Sequence, residues 1–176
     1  MLNLRIGALY VRRGVDLDPV LHGAAHESGL RPGTENVAYI VGLGKAAELA
    51  IHAVTETSQR LAALRDELEG SLAARVGEGF QVMGCDAERL PNTACVLFPR
   101  VSGHELLQAI PELCASTGAA CHSGATVVSG TLASMGVSAQ EAAGMVRLSL
   151  GWTTSAEEIE QATEKLVAAW ERLALA

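Results

Sequence analysis

From Val37 to Val76 apolar residues recur at helical spacing, and no other feature of the sequence restricts the fold as strongly. Val37, Ile40, Val41, Ala47 and Ile51 fall on one face. Leu61, Leu64, Leu68, Leu72 and Val76 form a second stripe, spaced three and four apart. The pattern predicts one very long helix, or two with a bend between them. A helix of that length more often bridges parts of a protein than folds inside one part, so a hinge is expected within it. Thr34, followed by Glu35, is the expected N-cap, because a hydroxyl accepts from the first free N–H groups and the helix dipole favours an acid there. Three regions follow: residues 1–36, a helical bridge over 37–78, and a small domain over 79–176.

The small domain reads as an α+β layer, a sheet with helices on one face. Strands are expected at Phe80–Met83, Thr93–Phe98, Leu113–Ser116 and Met145–Ser149. Three Ser-x-x-Glu capping boxes, at Ser102, Ser138 and Ser155, predict helix starts. Gly136 is the expected C′ residue of a helix beginning near Ser129. The last helix should bury Ile159, Ala162, Leu166, Ala169 and Leu173. Upstream of the bridge, Ile6–Val11 and Val15–Leu21 read as strand-like runs, the second with Pro19 marking an edge.

At 176 residues the chain is large enough to bury a core. With 3% aromatic residues, that core must be built from Ala, Val, Leu and Ile. A net charge of −7 with no basic stripe argues against a nucleic-acid partner. The four cysteines, Cys85, Cys95, Cys114 and Cys121, show neither C-x-x-C nor metal-ligand spacing with histidine, so no metal site is expected. Widely spaced thiols in a chain without a secretory signal point to a reducing, cytoplasmic compartment. Cys95 and Cys114 sit in apolar runs and read as small hydrophobes.

Cys121 differs, because its neighbours Gly118, Ala119, Ala120, Ser123 and Gly124 are loop-formers. No Asp, Glu, Lys or Arg occurs from Leu113 to Gln140, yet the stretch is too polar and glycine-rich to cross a membrane. A thiol presented on such a loop is either a nucleophile or a cysteine with no task, and composition favours the second. Arg147 alternates with Val146 and Leu148. It reads as the solvent face of a half-buried strand, or as a guanidinium gripping a carboxylate through two parallel hydrogen bonds. Arg31-Pro32-Gly33-Thr34 precedes a helix, where an anion such as phosphate binds well, though an ordinary capped helix is commoner.

In this order, six stretches resemble the cysteine desulfurase and selenocysteine lyase family, pyridoxal-phosphate enzymes of the fold-type I aminotransferase group. They are Ile6–Arg13, His22–Glu27, Arg31–Asn36, Leu90–Thr93, Ser116–Gly124 and Val146–Gly151. The resemblance implies that 1–36 is a remnant of the cofactor-binding large domain and 79–176 the carboxy-terminal small domain. It implies that Cys121 takes sulfur from L-cysteine, or selenium from L-selenocysteine, as a persulfide or perselenide and passes it to an acceptor protein. Arg147 would hold the substrate carboxylate, and Thr34 would bond the cofactor phosphate of the partner subunit in a homodimer. No nucleic-acid or membrane partner is implied. The sequence departs from the family in one respect. The family's cofactor lysine precedes the strand that Ile6–Val11 matches, and here Met1–Arg5 occupies that approach. The only lysines, Lys45 and Lys165, lie in helical patterns. The expectation is a carboxy-terminal piece of a desulfurase, inactive alone; the competing expectation is a non-catalytic interaction or dimerisation module.

Overall fold

The computed structural model describes residues 6–118 and 129–175. The chain divides into two compact units, Met1–Val54 and Thr55–Ala176. The helix α1, Val37–Val76, is unbroken, and the division falls within it.

In the first unit the described residues before α1 contain only a single 3-10 turn, Glu27–Gly29. Ile6–Val11 and Val15–Leu21 are irregular, not strands, and Leu9, Tyr10 and Val20 are exposed. Alternation and branched side chains favour an extended chain, but a strand needs a neighbour to take its N–H and C=O groups, and this unit supplies none among its described residues. The N-cap of α1 is Asn36 and not Thr34. Tyr39 N donates to Asn36 Oδ1 at 3.3 Å, and Ile40 N donates to Asn36 O at 3.0 Å. Thr34 lies too early for its hydroxyl to meet the first free N–H groups. The stripe of Val37, Ile40, Val41 and Ile51 is exposed. By length and composition alone α1 is apolar enough to cross a membrane.

In the second unit the later stripe of α1 does what its spacing predicts: Leu61, Leu64, Leu68, Leu72 and Val76 are all buried. Strands β1 (Gln81–Val82), β2 (Thr93–Leu97) and β3 (Met145–Ser149) form one antiparallel sheet with β2 in the middle. Side chains alternate across it. Ala94, Val96, Val146 and Leu148 join the main core with α1, α2 (Gly103–Gln108) and α5 (Ala156–Ala174). On the opposite face Leu97 and Met145 pack with Leu132 of α3 (Gly130–Ser134), and Ala142 of α4 (Ala139–Ala143) packs against them. Helices therefore cover part of both faces, where one covered face was expected. Leu113–Ser116 is reduced to a single bridge between Ser116 and Arg147.

Buried polar groups in this unit are paired. Arg89 holds Glu69 with two hydrogen bonds of 2.6 and 2.7 Å, and Glu69 is buried. That pairing raises the Arg89 guanidinium further above its ordinary value, against the smaller opposing effect of burial. Arg65 donates to Leu90 O at 2.9 Å and to the Asp66 carboxylate. Both arginines thus pin the loop before β2 to α1. On α5 the apolar face includes Thr163, Val167 and Trp170 beyond the residues expected, and Trp170 Nε1 donates to Pro99 O at 3.0 Å.

Two of the three capping boxes form, at Ser138–Glu141 and Ser155–Glu158. Ser102 stands at its N-cap but makes no side-chain cap bond. There the helix start is fixed by close approach: a Cβ on Gly103 would collide with the Met145 carbonyl. The Ser138 side chain, then its main-chain N–H, then Gln81, hold the Glu141 carboxyl below its ordinary 4.5. The folded state therefore favours the carboxylate, and the box supports α4 at neutral pH. That support is lost as pH falls through the depressed value. We expect the amide resonances of Ser138–Ala143 to shift together as pH falls below the ordinary glutamate range, before the α5 core amides move. Nuclear magnetic resonance titration measures this, and an α4 indifferent to pH down to global unfolding would contradict it.

Candidate functional site

β3 is an edge of the sheet, and Arg147 lies at its middle. Val146 and Leu148 point into the main core, so alternation turns Arg147 to the other face, where it is exposed. Its main-chain groups face outward from the sheet. Ser116 N donates to Arg147 O at 3.2 Å, and Arg147 N donates to Ser116 O at 2.6 Å. On the inner side Arg147 sits opposite Cys95. With its own N–H and C=O turned to Ser116, Arg147 is in a non-hydrogen-bonded pair with Cys95, the kind that brings side chains closest. Cys95, Arg147 and Ser116 therefore stand in a row across one face.

The electrostatics of the row are consistent with that register. Burial pushes the Cys95 thiol up, and the Arg147 guanidinium pulls it back down without cancelling the effect. Cys95 thus stays a neutral thiol near pH 7 and does not compete as an anion for Arg147. Among the described residues Arg147 makes no ion pair. Such a guanidinium, flanked by neutral groups on a fixed strand, is suited to a carboxylate.

Ser116 also begins a tight turn. Its hydroxyl oxygen accepts from Gly118 N at 3.0 Å. Gly118 has φ of +75°, which favours glycine, and a Cβ there would also displace the end of the Met145 side chain. Cys121 follows three residues later and lies outside the described residues. Cys114 is exposed, not the buried hydrophobe its sequence predicts, because the segment around it carries no ladder beyond the Ser116 bridge. Cys85 is exposed and Cys95 half-buried.

Thr34 belongs to the first unit. It is exposed, just beyond a loop tied by Gly33 N donating to His26 Nδ1 at 3.4 Å. The loop carries left-handed backbone at Glu27 and Ser28, which costs energy for residues with a Cβ, and at Gly33. A Cβ on Gly23 would press on Pro32 at 2.9 Å, so the two ends of the loop pack closely. Neither lysine suits a covalent cofactor link. Lys45 pairs with Glu48 at 2.8 Å and Lys165 with Glu112 at 2.6 Å, each on an exposed surface. The residues present do not fit a pyridoxal phosphate anchored in this chain.

Asn92 has a clear position that sequence pattern did not assign. Its O accepts from Leu150 N at 2.8 Å, and its side-chain Nδ2 donates to Leu150 O at 3.0 Å. The side chain thereby supplies the second bond of a ladder pair just past Thr93–Ser149. An Asn between a proline and a strand was the available signal. Ser116 was missed because its importance depends on a register that sequence does not contain.

The chain belongs to the aminotransferase class-V family, whose model matches residues 6–162. Enzymes of that class generally depend on pyridoxal phosphate. Within the class it is similar to cysteine desulfurases. It is 44% identical to the cysteine desulfurase of Gluconacetobacter diazotrophicus over 158 residues, 89% of this chain and 39% of that protein. It is 40% identical to the cysteine desulfurase NifS of Azotobacter vinelandii, again over 89% of this chain and 39% of that protein. A solved NifS-like protein from Rickettsia africae superposes with a TM-score of 0.77 at 27% identity, over 89% of this chain and 41% of that one. The chain spans about 40% of the length of the relatives it matches.

Proposed function

We propose that this chain is the carboxy-terminal part of a pyridoxal-phosphate-dependent cysteine desulfurase. In it Cys121 receives the sulfur of L-cysteine as a persulfide and L-alanine is released. The exchange balances internally: the substrate carbon–sulfur bond breaks, a sulfur–sulfur bond forms on Cys121, and the carbon gains the two electrons and a proton. Arg147 holds the substrate carboxylate, and Thr34 faces the cofactor phosphate of a partner subunit in a homodimer. L-selenocysteine carries the same carboxylate, and the names of the relatives favour L-cysteine. A cytoplasmic setting agrees with thiols that must stay reduced.

The observation that carries the reading is the reciprocal bond between Arg147 and Ser116. It roots the segment leading to Cys121 at an arginine suited to a carboxylate. The cofactor and its lysine belong, on this reading, to the remainder of the enzyme, and the exposed apolar stripe of α1 supports a further part of the protein packing there.

The reading requires that the chain by itself form no lysine adduct. Purified chain mixed with pyridoxal phosphate and reduced with borohydride should show no stoichiometric modification of Lys45 or Lys165 by mass spectrometry. The complete enzyme should release alanine from L-cysteine. A specific adduct on the isolated chain would overturn the division of labour.

A further inference from the structure

We propose that Ser116 is a second substrate-binding residue, its hydroxyl donating to the same carboxylate that Arg147 grips. The proposal rests on the assignment of Arg147 just given. Ser116 and Arg147 are direct bridge partners, so their side chains leave the same face at neighbouring positions. The Ser116 oxygen already accepts from Gly118 N at 3.0 Å. That contact uses a lone pair, fixes the oxygen and leaves the O–H proton for another acceptor. On the far side of Arg147 the acceptor capacity is low, because Cys95 is a neutral, half-buried thiol with little to offer a proton donor. The row thus presents donors: a guanidinium with its fork and, across the single bridge, a hydroxyl. A carboxylate has two oxygens and about four lone-pair sites. It accommodates a bidentate guanidinium and still has capacity for one hydroxyl. The ligand class this favours is a small amino acid whose carboxylate lies flat against the sheet face, with its side chain and amino group directed away.

A purely structural role for the hydroxyl, holding Gly118, makes a different prediction. Loss of that bond would loosen the turn before Cys121 and lower kcat, with substrate affinity unchanged. Loss of a carboxylate donor raises KM for L-cysteine and weakens binding of L-alanine, with kcat nearly unchanged.

The test compares Ser116→Ala, Ser116→Thr and Arg147→Ala, singly and in the Ser116→Ala/Arg147→Ala pair, in the complete enzyme. Ser116→Ala keeps the main-chain bridge, so the strand edge survives. We expect KM for L-cysteine and the dissociation constant of L-alanine to rise about tenfold, kcat to hold within about twofold, and Ser116→Thr to restore both constants. In the Arg147→Ala background the Ser116→Ala effect should shrink, because a carboxylate no longer held flat does not reach the hydroxyl. A fall in kcat at constant KM, no change in either, or a rise in KM that threonine does not rescue would each overturn the proposal. If Arg147→Ala itself leaves KM and alanine binding unchanged, the assignment of Arg147 fails instead, and the two failures are told apart.

Discussion

Replacing Gly144 by alanine should cost the second unit about 3 kcal/mol or more, the largest loss of stability expected from a single methyl group in this chain. Gly144 follows α4 with φ of −83°, a conformation open to any residue, so backbone freedom is not the reason glycine stands there. The reason is distance. A Cβ at Gly144 would overlap the Phe98 carbonyl oxygen and lie 3.0 Å from its carbon and 3.2 Å from its nitrogen. These are main-chain atoms and do not swing aside as a side chain would. Gly144 O also accepts from Phe98 N at 2.9 Å, continuing the β2–β3 ladder by one pair. Forcing the strands apart breaks that bond, worth about 1 kcal/mol. It also shifts Phe98, which is buried and packs edge-on against Phe80 at 5.3 Å. Domains of this size are stable by about 5–15 kcal/mol, so the substitution removes a large part of the margin. Gly70→Ala is the control. Gly70 lies in the interior of α1 with nothing within 4 Å of its added Cβ, and alanine there should stabilise by up to about 1 kcal/mol. Thermal unfolding of the two variants should move in opposite directions. A Gly144→Ala midpoint equal to that of the unchanged chain would show that the ladder end yields more freely than the geometry allows.

The contrast between those two glycines shows where sequence reading succeeds and where it stops. A spacing of three and four fixed the buried stripe of Leu61 to Val76, because helical periodicity is local and survives whatever packs against it. The same periodicity identified the Val37–Ile51 stripe, yet it says which face is apolar and not what covers it, and that face is exposed. Strand patterns held where a partner strand was available, at β1, β2 and β3, and failed at Ile6–Val11, where none is described. Capping boxes at Ser138 and Ser155 formed because both bonds are local. At Ser102 a tertiary contact of Gly103 with Met145 set the helix start instead. In the site, alternation alone turned Arg147 outward. Its neighbours Cys95 and Ser116 required the register of the sheet, which depends on strands some 30 to 50 residues apart in sequence. Local pattern singled out Cys121 as a loop thiol and Arg31–Thr34 as a possible anion site, but in each case beside a commoner plain reading, and only family resemblance gave Cys121 and Thr34 their roles.

Substituting Cys121 by alanine should abolish sulfur release from L-cysteine in the complete enzyme, by at least about three orders of magnitude, while pyridoxal phosphate remains bound with an unchanged absorption spectrum. The four thiols differ in their settings. Cys95 is fixed in the central strand, between main-chain pairs on both sides, and burial keeps it protonated; it lacks both the mobility and the thiolate character of an attacking group. Cys85 lies in the loop pinned to α1 through Arg89 and Arg65, on a segment remote in sequence from the Arg147 bridge. Cys114 is exposed but precedes the Ser116 anchor, with Leu113 N tied to Ile110 O at 3.0 Å. Cys121 alone follows that anchor, in a stretch rich in small residues, the composition suited to a thiol that must first meet a substrate and then a second protein. Single alanine substitutions of Cys85, Cys95 and Cys114 should therefore leave turnover within about threefold of the unchanged enzyme. After reaction with L-cysteine, peptide mass spectrometry should find the added sulfur on Cys121. Cys121→Ser distinguishes nucleophile from packing residue: serine has nearly the same volume but is a far weaker nucleophile toward sulfur, so it should be as inactive as alanine. Turnover retained in either variant, or persulfide found on Cys114 instead, would remove Cys121 from the chemistry and leave Arg147 as a carboxylate site serving a different reaction.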